Sequence, residues 1–235
     1  MKRSLLVAIF GNDGAGKSTL VQSVRDEFAE RSVSCAVMDK WDILDRQLHP
    51  NLHFIVPELD PLRVAIARME PLSRMLFLFW TMATTVRAID DPEVVLLDGY
   101  WYKHAAAELA LGADSGLVRS ITSALPKPDL VVYLDIDPLT AARRKRGLFT
   151  PYECGCIEPC SEDNFLSHQE AVRAELEETS GLVGAVRIDA SQPPYAVLDQ
   201  AMTLIMGRLQ PDPVEEVPQE TGSNGEIHGN HARFG

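Results

Sequence analysis

What this chain has little of narrows its function before any motif is read. It lacks a long hydrophobic run: the longest, Met75 to Ala83, is broken by Thr81 and falls well short of the roughly 20 apolar residues that cross a bilayer. No membrane segment is expected. Positive charge is scarce, with 22 Lys and Arg against 34 Asp and Glu and a net charge of −12. That balance argues against a nucleic-acid backbone as partner, which would require a concentrated basic face, and leaves a small phosphorylated ligand compatible. Only seven residues separate Met1-Lys2-Arg3 from a glycine-rich stretch, too few for a secretory leader, so a cytoplasmic address is expected. The four cysteines of such a chain read better as free thiols or metal ligands than as disulfides. No internal repeat is present, and 235 residues suit one well-buried domain better than two.

What is there begins at once. An apolar run from Leu5 to Phe10 feeds directly into Gly11-Asn12-Asp13-Gly14-Ala15-Gly16-Lys17-Ser18-Thr19, the spacing of a phosphate-binding loop. Glycines at 11, 14 and 16 let backbone N–H groups turn inward around phosphate oxygens, and a helix opening at Lys17 adds the positive end of its dipole. Lys17 is placed to neutralise the β- and γ-phosphates, and the Ser18 hydroxyl to ligate Mg²⁺. ATP and Mg²⁺ are therefore the expected cofactors.

Downstream, Leu20, Val24 and Phe28 recur at helical spacing and predict a helix over 18–31, followed by a strand over 33–38. The region 39–71 is irregular, with prolines at 50, 57, 61 and 71 and a short helical candidate over 62–69. A wide apolar stripe from Leu72 to Val86 predicts a helix, and Val94 to Leu97 a buried strand ending in Asp98. Further strands are expected at 130–134, ending in Asp135, and at 186–189, with helices at 138–146, 164–178 and 197–209. Strands alternating with helices imply an α/β fold, a parallel sheet covered on both faces. Residues 1–210 are read as a single P-loop domain with a lid at about 143–163. Residues 211–235, rich in prolines, glycines and acids, are read as a disordered acidic tail.

Three features outside the loop carry chemistry. Asp98 closes an apolar strand, the context of a carboxylate that holds Mg²⁺ or its water beside the phosphates. Arg143, Arg144, Lys145 and Arg146 form a basic cluster before Gly147, suited to a lid that brings cations onto the transferring phosphoryl group; Arg143 and Arg146 are the catalytic candidates. Cys154, Cys156 and Cys160, with His168, offer four ligands for a tetrahedral Zn²⁺ or else are free thiols on a loop.

The phosphate loop, the segment Pro128-Asp129-Leu130-Val131-Val132-Tyr133-Leu134-Asp135-Ile136-Asp137-Pro138 and the segment Ile188-Asp189-Ala190-Ser191-Gln192-Pro193 together resemble the thymidylate kinases, which are P-loop nucleoside monophosphate kinases. The resemblance covers most of residues 4–209. It implies the P-loop NTPase fold with a five-stranded parallel sheet, phosphoryl transfer from ATP to a nucleoside monophosphate, and a homodimer paired through helices. It also implies that Asp13 faces a sugar hydroxyl of the acceptor, that Phe77 stacks on its base, that the lid arginines close on the phosphates, and that Ser191 lies near the adenine. Arg74 and Tyr100 complete the expected acceptor side.

The departures from the family are specific. Gly99 stands where the family has an arginine after the strand-end Asp, Thr81 where it has the arginine that reads the base, and Gly14 where one subgroup has a loop arginine. Lys40, Arg46 and Arg74 are candidates to replace the lost acceptor-side cations. Accordingly dTMP or a modified pyrimidine nucleotide is the expected acceptor. A hydroxyl of another small molecule and a non-catalytic nucleotide-binding role are the alternatives.

Overall fold

In the computed structural model the described residues are 3–52, 54–55, 58–86 and 92–209. The expected tail at 211–235 lies outside them. Five strands, β1 (Leu5–Gly11), β2 (Cys35–Met38), β3 (Val94–Asp98), β4 (Leu130–Asp135) and β5 (Val186–Asp189), pair in the order β2-β3-β1-β4-β5, every pair parallel. Parallel neighbours need crossovers, and helices supply them. Eight α-helices are present among the described residues: α1 (Lys17–Glu30), α2 (Leu59–Ala67), α3 (Pro71–Thr85), α4 (Tyr100–Ala110), α5 (Ser115–Thr122), α6 (Pro138–Lys145), α7 (Glu162–Val183) and α8 (Pro194–Leu209). None is long and apolar enough to cross a membrane.

The two-residue period of a strand divides the core in two. Ala8 and Phe10 of β1, with Val95, Leu97 and Tyr133, pack under α2, α3 and α4 on one face. Val7 and Ile9, with Leu96, Val132 and Leu134, pack under α1, α6 and α8 on the other. Both faces of β1, β3 and β4 are therefore dry, which is why those strands read as unbroken apolar runs.

Local chemistry sets the element ends. Val33, expected in β2, instead donates its N–H to the Phe28 carbonyl at 3.0 Å, so it closes α1 and the strand starts at Cys35. Pro71 occupies the first turn of α3, whose free N–H at Ser73 is capped by the Glu70 carboxylate. Ser161 caps α7 in the same way by accepting from Asn164 N–H. Helices α4 and α5 have no counterpart in the sequence reading. The reason is plain for α4: its buried residues, from Tyr100 and Tyr102 through His104 to Glu108, surround the helix and leave no stripe to recognise.

What the fold does for function is to bring strand ends together. The register pairs Ile9 with Asp98 and Gly11 with Leu134, so the C-terminal ends of β1, β3 and β4 lie side by side. In an open parallel sheet that edge is where ligands bind.

Candidate active site

The loop between β1 and α1 is built for close approach. A Cβ on Gly11 would lie 2.3 Å from the Leu134 carbonyl oxygen, and one on Gly14, at φ +85°, would lie 2.9 Å from the Ala141 carbonyl oxygen. Gly14 is thus pressed against α6, and a large side chain there would push the two segments apart. The Lys17 ammonium folds back over the loop and donates to the carbonyls of Gly11 (3.0 Å) and Asn12 (2.7 Å). Burial, with Lys103 nearby, lowers its pKa from 10.5 to about 8, against the opposing pull of Asp13, Asp98 and Glu153. At neutral pH it keeps its charge.

Ser18, in the first turn of α1, donates its hydroxyl to Asp98 Oδ2 at 2.6 Å. Two hard oxygen donors in contact, beside an anion-binding loop, fit Mg²⁺, which takes oxygen ligands and leaves positions for water and phosphate. The zinc expectation is corrected. Cys154 and Cys160 form a disulfide, which removes two of the four ligands. Cys156 remains a half-exposed thiol, and the His168 ring packs on the Gly155 backbone, where a Cβ would come within 3.2 Å of Nδ1. Among the described residues no three metal-ligating side chains gather. The expectation of reduced or metal-bound cysteines fails with it, because the loop between α6 and α7 brings Cys154 and Cys160 to a Cα separation of 5.6 Å.

Beside the loop opens a cavity of about 920 Å³. Asp13, Lys17, Ser18 and Asp98 form one wall, and Lys40 and Trp41 after β2, Lys103 and His104 of α4, and Lys145, Tyr152 and Glu153 around the α6–α7 connection form the rest. Burial alone would raise the Asp13 pKa, but Lys103 and Lys17 outweigh it and hold the carboxylate well below its usual range. Lys103 is paired to Asp13, and Gln169 holds the same residue from α7, donating to Oδ2 at 3.5 Å and accepting the Asp13 N–H at 3.1 Å. Lys40 lies 4.4 Å from the Trp41 ring centre, and burial lowers its pKa to about 8. His104 is neutral: burial and the three lysines around it push its pKa well below 6.5, and its Nδ1 is buried without a partner among the described residues. Lys145 donates to Glu153 at 3.0 Å, and the Thr150 N–H to the same carboxylate at 2.8 Å, fixing the connection over the cavity.

A buried ion pair props this wall. Arg74 donates bidentately to Glu108 at 2.9 and 3.0 Å, both side chains less than 5% exposed, and the Tyr152 hydroxyl donates to Glu108 at 2.9 Å. The network ties α3, α4 and the α6–α7 connection together.

The structure brings Asp13, Gly14, Gly16, Lys17, Ser18, Thr19 and Asp98 to the cavity, with Gly11, Asn12 and Ala15 buried behind them. Of the remaining candidates it brings Lys40 there and not the others. Arg74 is consumed by Glu108. Tyr100 is buried with its hydroxyl donating to the Pro126 carbonyl at 2.9 Å. Phe77 packs against the core 5.8 Å from Trp80, and Arg46 holds the carbonyls of Leu52 and Ile55. Arg143 and Arg146 are exposed and outside the cavity wall, as is Ser191, whose N–H donates to Asp189; Lys145 is the member of the basic cluster that reaches the wall. Lys103, His104, Trp41, Tyr152 and Glu153 were not found from the sequence. Lys103 and His104 lie one turn beyond Gly99 on the helix whose pattern is illegible, so no periodicity marked them.

No family model matches the chain. It is similar to the probable thymidylate kinase of Archaeoglobus fulgidus, 27% identical over 154 residues that make up 63% of this chain and 74% of that protein. Probable thymidylate kinase 1 of Saccharolobus solfataricus is 22% identical across 87% of this chain and 98% of its own length. The thymidylate kinase of Caenorhabditis elegans is 30% identical over 148 residues, 61% of this chain and 68% of that protein. The chain belongs to the thymidylate kinase family. Its five-stranded parallel sheet with helices on both faces is the P-loop fold expected of that family. Within this thymidylate kinase family member, Thr81 is buried and donates its hydroxyl to the Leu78 carbonyl at 2.7 Å, so position 81 faces the core instead of the cavity.

Proposed function

We propose that this protein transfers the γ-phosphoryl group of ATP to the phosphate of a nucleoside monophosphate, with dTMP or a modified pyrimidine nucleotide as acceptor. One observation carries the reading: a phosphate loop with its lysine, the hydrogen-bonded oxygens of Ser18 and Asp98 and two further lysines, Lys40 and Lys103, line the same cavity. A chain that only held a triphosphate would need the first two and not the last.

In this reading the loop N–H groups and the N-terminus of α1 receive the β- and γ-phosphates, and Lys17, protonated at neutral pH, neutralises them. Ser18 and Asp98 would hold Mg²⁺, which when bound draws charge from the phosphate oxygens. The protein's contribution is mostly positioning and charge, since phosphoryl transfer needs no covalent help. Lys40 faces the acceptor side with its ammonium over the Trp41 ring, and the neutral His104 and the Tyr152 ring give that side uncharged surface for a base. Lys145, anchored by Glu153, is the lid cation at hand. The same reading takes the enzyme as a cytoplasmic homodimer, with the exposed Leu72, Leu76 and Trp80 of α3 as the surface that pairing would cover.

An ADP-release screen with ATP and Mg²⁺, run over nucleoside monophosphates and over the corresponding nucleosides, tests the proposal. Turnover stimulated by a monophosphate supports it. Stimulation by nucleosides or other hydroxyl compounds alone replaces it with the hydroxyl-acceptor reading, and ATP binding without turnover across the panel replaces it with a sensor.

A further inference from the structure

The acceptor side of this site lacks a cation at the strand end, yet its geometry supplies one from elsewhere. Gly99 follows Asp98 with φ +76°, and a Cβ built there would lie 4.0 Å from Lys103 Cδ. The Lys103 stem thus passes beside the spot that a Cβ at 99 would occupy, at the outer edge of van der Waals contact, and its ammonium ends on Asp13 in the cavity wall. Both groups are mostly buried but open to the cavity, with side-chain exposures of 13% and 11%.

Two considerations suit this ion pair to a latch better than to a fixed strut. Asp13 is held independently of Lys103, through the Gln169 side chain on both its N–H and its second carboxylate oxygen. Lysine, for its part, is a point charge on a flexible four-carbon stem, able to swing while its base stays put. Around it, Lys103 repels both Lys17 and Lys40 across one cavity, and a dianionic phosphate there would face all three cations.

We propose that Lys103 is the acceptor-phosphate ligand and works by exchange: its ammonium leaves Asp13 for the phosphate of the incoming acceptor, which opens an Asp13 oxygen to a hydroxyl donor of the same ligand. The inference rests on the phosphotransfer reading above and adds to it a residue and a selection rule. An acceptor without a phosphate brings nothing to replace Asp13 as the partner of Lys103, so it meets a closed latch. Phosphate oxygens form charge-assisted bonds with ammonium that compete well with a single carboxylate.

The test uses the full chain with ATP and Mg²⁺, taking dTMP, dCMP, dAMP and dGMP and their nucleosides as probes. Wild type, Lys103→Ala and Lys103→Arg are compared for the KM of each monophosphate and of ATP, with thermal melting to confirm that each variant folds. Loss of one charge-assisted bond is expected to raise the acceptor KM about 10- to 100-fold in Lys103→Ala. The KM for ATP should stay near wild type, binding of the monophosphate should fall to the level of its nucleoside, and Lys103→Arg should recover most of the loss. A folded Lys103→Ala protein with an unchanged acceptor KM overturns the Lys103 assignment and leaves phosphotransfer standing. A wild-type protein that phosphorylates nucleosides and no monophosphate overturns both.

Discussion

The two halves of the cavity, donor and acceptor in the proposed reading, are built by different means. The donor half is local: Gly11 to Thr19 form one continuous turn from strand to helix, and Asp98 joins them through the β1–β3 register. Its working groups are mostly backbone N–H and one lysine whose position is set by carbonyls five and six residues away. The acceptor half is assembled from side chains far apart in sequence: Lys40 after β2, Lys103 and His104 on α4, Tyr152 and Glu153 between α6 and α7. Backbone chemistry tolerates little change, because a Cβ at Gly11 or Gly14 meets backbone oxygen within 3 Å. Side-chain chemistry can move from one helix position to another and keep its charge in place, as proposed above for Lys103 and position 99. The donor half therefore carries the family's signature, while the acceptor half carries what is particular to this chain.

The sharpest break of that contrast is Lys17→Ala. Removing the cation at the transferring phosphate should lower kcat by about three orders of magnitude, while the variant still melts as a folded protein. A variant that retains more than a tenth of wild-type turnover would remove the donor half from the mechanism.

Next in size is the prop behind the acceptor half. Glu108→Ala strands a buried guanidinium and takes the partner of Tyr152 away; breaking one side of such a pair costs about 3–5 kcal/mol. Chemical denaturation should record that loss, and the acceptor KM should rise with it while the ATP KM moves less. An unchanged unfolding midpoint would mean that the Arg74–Glu108–Tyr152 network does not hold the wall.

The smallest effect is a pH dependence. Burial lowers Lys17 from 10.5 to about 8, so in the free enzyme its charge is present below that value and lost above it. Since kcat/KM reports the free enzyme, its value for ATP should decline above pH 8, by about tenfold per pH unit where a single group governs. A profile flat through that range would show that Lys17 keeps its proton and that its surroundings are more polar than the fold implies.

The same contrast explains what could be read from the sequence. Strands β1, β3 and β4 were legible because both faces are buried and the runs are continuous, and the loop because glycine positions there are dictated by contact. Asp98 followed from its place at a strand end. The acceptor side was misread where an apolar or charged residue type has two uses. Phe77 is half-buried against the core, Arg74 satisfies Glu108 inside the protein, and Tyr100 bonds Pro126. The lid arginines were drawn from the right segment, but the side chain that faces the cavity there is Lys145, because α6 turns Arg143 and Arg146 to solvent. The cysteines carried no signal of pairing, since the separation of Cys154 from Cys160 suits a metal loop and a disulfide equally. Lys103 carries no periodic signal because α4 is buried around most of its circumference.

The central claim is that the acceptor presents a phosphate to this cavity. Product analysis by mass and phosphorus NMR after turnover with ATP, Mg²⁺ and a nucleoside monophosphate tests it directly. The account predicts a nucleoside diphosphate, its new phosphorus coupled to the old one through a P–O–P linkage. A product with its new phosphate on a hydroxyl, as an isolated monoester, would contradict it.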